Sequence, residues 1–404
     1  MTELEECIEQ GDAKHDVVVA EKFGETKLGE YKVMTRTAQY FGGKKFGMMV
    51  DKDGNDIDVS HNPDFSSLLT AYNDKIYMVT HFEWPAPGAV YLSEVTQDAA
   101  GELKVESTSP VDFSGVHGVW IPCAGSVSTW GSHLGSEEYE PNAKEFFMAN
   151  DDDGATVLTT TQLKDHKYWA NQAVPDFMKY YGATTENRVA MTGKQAVEVG
   201  FNPYHYGYSW ELKVGSSGEA IVNKHYANGR MAYELIYAMP DKKTVYGTDD
   251  GTDVMFSKFV TKKAGDMSEG ELFCAKYLQT SPEPGGDAND FHATVTYISM
   301  GSASDADILE GDFSIKKFNG TEKMTSFYDM WEVGEVDDDG KGCKKDGFKL
   351  IKQGGVGVEC LKLRKDKWDE ERSEKIAVLA SRLEKRRYAA YIGCNTEGRK
   401  WEGK

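Results

Sequence analysis

The sequence lacks any run of the roughly 20 apolar residues that a membrane-spanning helix needs. Its start, Met1-Thr-Glu-Leu-Glu-Glu6, is acidic and has no apolar h-region, so no signal peptide is visible. Basic residues are also few, because 46 Lys and Arg stand against 66 Asp and Glu, which gives a formal net charge of −20. Phosphate backbones attract basic surfaces, so this balance argues against a nucleic-acid partner. It suits a protein whose acidic groups hold cations, or simply one that stays soluble in a salty medium.

The cysteines lack the CxxC pairs of zinc fingers. The six are Cys7, Cys123, Cys274, Cys343, Cys360 and Cys394. Cys343 and Cys360 flank a Gly-rich stretch typical of a hairpin, and these two could form a disulfide in an oxidising compartment.

The composition favours strands over helical bundles. Aromatic residues make up 12% of the 404 residues, and there are 41 glycines. Residues 1–30 are polar and predict an extended N-terminal segment. From about Tyr31, short apolar runs alternate with turns rich in Gly, Asp, Asn and Pro, which predicts an all-β domain over 31–404 with several hairpins. The pattern contains no clean repeat, so it does not by itself choose a propeller over a sandwich.

Two segments break the β pattern and predict helical insertions. The segment 161–181 is partly helical in pattern and is interrupted at Pro175. The segment 369–391 is the clearest helix, because Ile376, Leu379 and Leu383 line one stripe. The run 385–387, Lys-Arg-Arg, lies near its end and is most simply a solvated helix end that complements the dipole.

The segment 123–141, which begins at Cys123 and contains the pair Glu137-Glu138, combines metal-ligating groups with small residues. Thiolates bind transition metals and carboxylates bind hard cations, so the segment suggests a mixed metal centre. The plainer interpretation is a buried structural cysteine followed by an exposed acidic turn.

A second set of motifs follows about a hundred residues later. It comprises Asn228-Gly-Arg-Met-Ala-Tyr-Glu234, Pro240-Asp241, Val245-Tyr-Gly-Thr-Asp-Asp250 and Phe256-Ser-Lys-Phe-Val260. Together with the run from Cys123 to Glu138, these motifs resemble, in the same order, the signature of the PhoX-type alkaline phosphatases. The resemblance extends from about Gly42 to the C-terminus.

The resemblance implies a six-bladed β-propeller that carries a cluster of iron and calcium ions and is secreted or periplasmic. It implies that Cys123 binds iron, that Glu138 and Glu234 are metal-binding carboxylates, and that Asp249 and Asp253 hold calcium. From the residues alone, Glu234 could equally lie in a strand and face water, and the run 249–253 is a good turn sequence without any metal.

Two arginines are candidates for binding a phosphate group, because the guanidinium fork matches phosphate oxygens. Arg230 precedes Glu234 within the motif, where structural pairing is an equal alternative to a catalytic role. Arg399 and Glu402 lie in a C-terminal run that resembles the family motif at the phosphate and the metals, although a frayed tail is the plainer interpretation.

Three features depart from the family pattern. Tyr233 stands where the family has histidine, and Gly398 where it has an aromatic residue. Further blades and another metal-binding Asp are expected beyond Lys404, so the sequence predicts a truncated ring or one that closes differently.

The leading hypothesis is therefore a metal-dependent phosphohydrolase that acts on small phosphate monoesters. The alternative is a non-catalytic propeller, stabilised by calcium, that binds protein partners or assembles with itself. A propeller lactonase would need one calcium and no cysteine ligand.

Overall fold

The computed structural model describes residues 22–23, 26–27, 32–70, 75–84, 86–148, 156–157, 172–184, 193–281, 292–366 and 368–399. Within these residues the chain is mostly β, as the sequence predicted, and its strands pair antiparallel. Three short hairpins come first: β1 (Lys22–Phe23) with β2 (Thr26–Lys27), β3 (Tyr40–Phe41) with β4 (Lys44–Lys45), and β5 (Met48–Val50) with β6 (Asp56–Val59). Apart from β1 and β2, the segment 1–30 lies outside the described residues.

The next two sheets have four strands each, in antiparallel order. The first sheet is a meander of β7 (Asn62–Thr70), β8 (Ile76–Trp84), β9 (Ala89–Gln97) and β10 (Leu103–Pro110), and a 3₁₀ turn at Ser114–Val116 follows it. The second sheet contains β11 (Pro122–Val127), β12 (His133–Glu137), β15 (Ser209–Val214) and β16 (Ala220–Lys224).

An insertion separates β12 from β15. It includes α1 (Ala143–Phe146), β13 (Phe147–Met148), β14 (Thr156–Val157), α2 (Val174–Phe177), α3 (Gly193–Glu198) and 3₁₀ turns at Met178–Tyr181 and Pro203–His205. The predicted helical segment 161–181 overlaps this insertion, and its first part, 161–171, lies outside the described residues. Pro175, expected to interrupt a helix, instead lies in the first turn of α2, where its missing N–H leaves no hydrogen bond unmade.

The third sheet has five strands. They are β17 (Tyr233–Ala238), β18 (Thr244–Asp249), β20 (Phe256–Lys263), β21 (Asp266–Gln279) and β22 (Ala293–Ser304), and a 3₁₀ turn at Tyr226–Asn228 precedes them. Buried and less buried residues alternate along β18 and most of β20, and Val245, Phe259 and Leu272 lie opposite one another on one buried face. This period of two is what makes the segment a half-buried sheet.

The C-terminal part adds helices and a smaller sheet. Its elements are α4 (Asp305–Glu310), α5 (Phe327–Met330), β23 (Trp331–Gly334), β24 (Lys349–Gln353), β25 (Gly357–Leu363), α6 (Glu370–Leu383), α7 (Lys385–Ile392) and β26 (Gly398–Arg399), which pairs with β19 (Thr252–Val254). The segment predicted as one helix over 369–391 thus forms two helices, with a break at Glu384. No helix in the described ranges is long and apolar enough to cross a membrane.

The basic run at the start of α7 is buried, and the expectation of a solvated helix end is wrong. Arg386 pairs with Asp249, and Arg387 pairs with Glu359 at 2.7 Å. Lys385 donates to the Tyr233 hydroxyl at 2.7 Å, and its burial lowers the pKa of its ammonium. These ion pairs and hydrogen bonds compensate the desolvation of the charged groups. They hold α7 between the third sheet and the sheet of β23, β24 and β25.

The first strands of the three larger sheets, β7, β11 and β17, lie next to one another, and each is an edge strand of its own sheet. A Cβ at Gly125 of β11 would lie 2.6 Å from the carbonyl oxygen of Leu134 and 2.9 Å from the ring of Phe65 in β7, so glycine permits this approach. Ser126 of β11 donates to the Ile236 carbonyl of β17 at 2.6 Å. The sheets of the described residues form no closed ring, so the six-bladed propeller stays a prediction.

Two disulfides cross-link the chain. Cys343 bonds to Cys360, the pair that could be anticipated from their flanking of a hairpin. Cys274 in β21 bonds to Cys394 after α7, across a separation of 120 residues that no local pattern would indicate. The second bond fastens the C-terminal segment to the third sheet.

The long-range disulfide should contribute more stability than the local one. By the loss of chain entropy in the unfolded state, a loop of 120 residues corresponds to about 5 kcal/mol of unfolding free energy and one of 17 residues to about 3 kcal/mol. We expect the Cys274→Ala/Cys394→Ala double variant to unfold at lower guanidinium concentration than the Cys343→Ala/Cys360→Ala double variant. Equal losses, or a larger loss for the local pair, would contradict this expectation.

Candidate metal centre

Four carboxylates and one thiol converge where β7, β11 and β17 meet. We call Glu83, Cys123, Glu138, Glu234 and Asp250 the acidic cluster. The ligand atoms of Glu83, Cys123 and Glu138 lie within 4.8 Å of one another, and so do those of Glu138, Glu234 and Asp250. Glu138 belongs to both groups and connects them. Cys123 Sγ lies 3.7 Å from the nearer carboxylate oxygen of Glu234.

Irregular strand pairing places the side chains of the cluster. The β11–β12 ladder is interrupted between Pro122 and Gly125, around Cys123, and the β17–β18 ladder between Tyr233 and Ile236, around Glu234. Such bulges re-aim side chains that a regular ladder would direct alternately to its two faces.

The same irregularity occurs in β7, the third of these edge strands. Its ladder with β8 is interrupted between Pro63 and Ser66, around Asp64, and Asp64 interacts with the Cys123 thiol. Three neighbouring edge strands therefore each break their pairing at a residue that bears a ligand atom.

Ser136 joins two of these irregular regions. Its hydroxyl oxygen lies 2.7 Å from the Ala124 carbonyl oxygen and 3.1 Å from the Glu234 carbonyl oxygen. The single hydroxyl proton is shared between these two backbone acceptors. Ser136 thereby ties the backbone beside Cys123 to the backbone of Glu234.

The adjacent carboxylates Glu137 and Glu138 have opposite roles. Glu137 is buried and accepts hydrogen bonds from the backbone N–H of Trp120 at 2.8 Å and of Gly207 at 2.9 Å, and its oxygen lies 2.7 Å from Lys224 Nζ. Its charge is compensated within the protein, so Glu137 is structural. Glu138, on the other side of the chain, faces the acidic cluster.

The electrostatics of the cluster disfavour negative charge on its members. Burial, together with the charges of Glu234 and Glu83, raises the pKa of Glu138 to about 10. Burial, together with the charges of Glu138 and Glu234, raises the pKa of the Cys123 thiol well above its usual range. Burial and the charge of Asp64 also raise the pKa of Glu83. Without cations, protons must stay on these groups.

The donor set fits metal ions. A thiolate with carboxylates suits a transition metal, and carboxylates alone suit a hard cation such as calcium. The group of Glu83, Cys123 and Glu138 has the first composition, and the group of Glu138, Glu234 and Asp250 has the second. The Tyr139 hydroxyl donates to Asp250 and fixes one of its oxygens from outside the cluster.

The structure brings together three of the predicted metal ligands, Cys123, Glu138 and Glu234, and places Asp249 and Asp253 elsewhere. Asp249 is buried and faces α7, where Arg386 Nε lies 2.9 Å from its carboxylate. Burial raises the pKa of Asp249 to about 7, and the charge of Arg386 opposes that rise. Asp253 pairs with Lys352 at 2.8 Å. The neighbouring residue Asp250, rather than Asp249, faces the cluster.

The predicted phosphate-binding arginines also differ in placement. Arg230 is buried, and its guanidinium donates to the carbonyl oxygens of Tyr206, Leu383 and Pro141 at distances of 3.0, 3.1 and 2.5 Å. These bonds hold backbone segments together, so Arg230 has the structural role that the sequence left open as the alternative to phosphate binding.

Arg399 is exposed in β26 and pairs in register with Thr252, two residues after Asp250. Its strand therefore runs beside the chain that leaves the cluster. Glu402 lies outside the described residues.

Sequence motifs missed Glu83, Asp64 and Asp250. Glu83 and Asp64 lie in the β7–β8 hairpin, where no quoted motif falls and where Glu83 reads as an ordinary polar residue at a strand end. Asp250 is next to the predicted residue Asp249. Asp249 is fully buried and lies opposite Tyr233 in the β17–β18 ladder, so its neighbour faces the other way, but this pairing is visible only in the structure.

Residues 89–286 match the model of the alkaline phosphatase PhoX family, and the resemblance seen in the sequence is confirmed over these residues. None of the curated proteins matches the chain. Among solved structures, Pseudomonas fluorescens PhoX in complex with vanadate, a transition state analogue, is similar to it, with 17% identity and a TM-score of 0.38. The alignment covers 61% of this chain and 51% of that one, so the chain spans about half the length of that protein.

Replacing Glu138 by a side chain that cannot ionise should raise the free energy of unfolding of the metal-free protein at alkaline pH. The pKa of Glu138 is about 10 in the folded state and near the usual 4.5 when unfolded, so the folded state holds an extra proton between these values. The free energy of unfolding therefore falls as pH rises through this window. After chelation, we expect Glu138→Gln to melt several degrees above wild type at pH 9, with little difference at pH 5.

Added calcium should reverse the order of the two melting temperatures, because the wild-type carboxylate can bind the ion and the glutamine of the variant cannot. Glu106→Gln is the control, since Glu106 is an exposed residue of β10 outside the cluster. A Glu138→Gln variant that melts below chelated wild type at pH 9 would mean that the cluster is not strained by like charge.

Proposed function

We propose, on the premise that residues 89–286 match the alkaline phosphatase PhoX family, that this chain is a metal-dependent phosphohydrolase that acts on small phosphate monoesters. The observation that carries the proposal is the convergence of Cys123, Glu138 and Glu234 in one acidic cluster. These three residues are far apart in sequence, and the family resemblance assigned a metal to each. Two disulfides support the companion proposal that the protein works in an oxidising, secreted or periplasmic compartment.

The residues of the cluster would divide between two kinds of metal ion. Cys123, Glu83 and Glu138 would hold iron, and Glu138, Glu234 and Asp250 would hold calcium, with Asp64 beside the thiol. Bound metal ions act as Lewis acids toward phosphoryl oxygens and lower the pKa of a bound water. The chain's own contribution is to hold the ligands in place through Ser136 and the bulged strands, and to keep Glu138 and Cys123 away from water.

Arg399 is the better candidate for contacting the phosphate group. Its guanidinium is exposed, and β26 runs beside the segment that follows Asp250. Arg230, in contrast, uses its donors on backbone carbonyls. A guanidinium near the cations would bind the substrate's phosphoryl oxygens and orient the ester.

The propeller remains part of the proposal. The antiparallel meanders whose first strands β7, β11 and β17 lie together are arranged as neighbouring blades would be around a common axis. In this arrangement the acidic cluster lies at the ends of the innermost strands, where metal ions would join separate blades.

The second candidate is a non-catalytic protein that uses calcium for stability and binds partners on its surface. The placement of Arg230 favours it, because one of the two predicted phosphate-binding groups is committed to structure. Calcium bound without iron, and no hydrolysis, would be its signature.

The phosphohydrolase proposal predicts that Cys123→Ser loses iron and slows hydrolysis of a chromogenic phosphate ester by more than about 100-fold, since a thiolate ligand is removed. Metal analysis and steady-state rates measure both effects. Val127→Ser is a matched control, because Val127 lies exposed on the same strand and outside the cluster.

Wild-type protein that is loaded with both metals and hydrolyses no phosphate monoester would overturn the proposal. Full activity in Cys123→Ser would separately exclude the thiolate from the reaction.

A further inference from the structure

A chain of buried polar side chains leads to the backbone carbonyl of Cys123. His81 Nδ1 contacts the Cys123 carbonyl oxygen, and His81 Nε2 lies 2.7 Å from His133 Nε2. His133 Nδ1 in turn lies 2.7 Å from the Ser67 hydroxyl. Both imidazoles are fully buried. We call Ser67, His133 and His81 the histidine chain.

The histidine chain supplies a bond that the sheet does not provide. The β11–β12 ladder is interrupted between Pro122 and Gly125, so the Cys123 carbonyl lies outside regular pairing. A buried carbonyl without a donor costs free energy comparable to a lost hydrogen bond. The His81 N–H satisfies this acceptor at the residue whose side chain enters the cluster.

The hydrogen bonds of the chain run in one direction. A carbonyl only accepts, so His81 Nδ1 must carry a proton. Both rings are fully buried, which favours the neutral imidazole at each position. His81 Nε2 then accepts from His133 Nε2–H, and His133 Nδ1 accepts from the Ser67 hydroxyl. Each ring is thereby fixed in one tautomer.

Aromatic packing holds both rings in this geometry. The His81 and His133 ring centroids lie 4.8 Å apart, and Trp210 lies 5.0 Å from His81 and 5.2 Å from His133. Phe65 covers both imidazoles from β7. Because both rings are fully buried and packed by aromatic rings, the bond to the Cys123 carbonyl has a defined direction.

We propose that His81 and His133 are positioning residues for Cys123: the histidine chain holds the bulge of β11 and keeps the thiol directed into the acidic cluster. This inference rests on the proposed function in one respect, namely that the thiol is a metal ligand there. The chain links β7, β8 and β12 to Cys123, so it transmits the positions of three strands to one sulfur atom.

Replacements of His81 separate the two hydrogen bonds of its ring. Asparagine places an amide N–H near the position of Nδ1 and can still donate to the Cys123 carbonyl. Phenylalanine keeps the ring volume and removes both bonds. Thr80→Val is the matched control, because Thr80 is buried on the same strand and loses only its 3.0 Å hydrogen bond to Ser66.

The first measurement uses metal-free protein in a Cys7→Ser background, where Cys123 is the free cysteine of the described residues. In wild type the thiol is buried, so alkylation should be slow. We expect His81→Phe to speed it several-fold, and His81→Asn and Thr80→Val to stay near wild type. A merely structural role would lower the melting temperature of His81→Phe and Thr80→Val alike and leave their alkylation rates equal, which would overturn the inference.

The second measurement needs no variant and therefore does not depend on a variant's folding. In protein labelled with ¹⁵N-histidine, long-range proton–nitrogen correlations report the tautomer of each ring. We expect His81 to carry its proton on Nδ1 and His133 on Nε2. The opposite tautomer at His81 would exclude a bond to the Cys123 carbonyl and overturn the inference.

Loading with iron tests the link to the proposed function. His81→Phe should weaken or shift the thiolate-to-iron charge-transfer band, His81→Asn should restore it, and Thr80→Val should leave it unchanged; an unchanged band in His81→Phe would count against the inference. If wild type takes up neither iron nor calcium, the proposed function fails, while alkylation and tautomers still decide whether the histidine chain positions Cys123.

Discussion

The repulsion among buried carboxylates and a thiol is the constraint on which the structure of this site depends. The ligand atom of Glu138 lies within 4.8 Å of those of Glu83, Cys123, Glu234 and Asp250. Burial and the charges of Glu234 and Glu83 raise the pKa of Glu138 to about 10. The adjacent buried carboxylate Glu137, in contrast, pairs with Lys224 and accepts hydrogen bonds from two backbone N–H groups. The contrast between adjacent residues distinguishes the cluster as a candidate cation site.

Backbone irregularity is the means by which the sheets reach this arrangement. Regular pairing would direct Cys123 and Glu234 by alternation alone, whereas the interrupted ladders of β11 and β17 free each side chain to turn toward the common point. The backbone groups released from pairing find side-chain partners, with His81 at Cys123 and Ser136 between Ala124 and Glu234. His81 and Ser136 thus form hydrogen bonds to backbone groups at the bulges, and the bulges turn Cys123 and Glu234 toward the cluster.

The sequence predicted the mostly β fold and three members of the cluster, because those members stand in motifs whose order is informative. It could not separate Asp249 from Asp250, since the choice depends on which face of β18 meets the buried Arg386. It placed Lys385, Arg386 and Arg387 in solvent because helical periodicity locates apolar faces and carries no information about ion pairs with distant strands. Glu83 and the Cys274–Cys394 bond were missed for the same reason: both depend on contacts between segments far apart in the chain.

The Cys274–Cys394 bond has a consequence for how this protein responds to proteolysis. A single cleavage of the backbone anywhere between these two residues would leave both fragments covalently joined, and the N-terminal fragment would still contain every residue of the acidic cluster. A nicked molecule would therefore migrate as one species until a reductant is added, and its two halves could not diffuse apart.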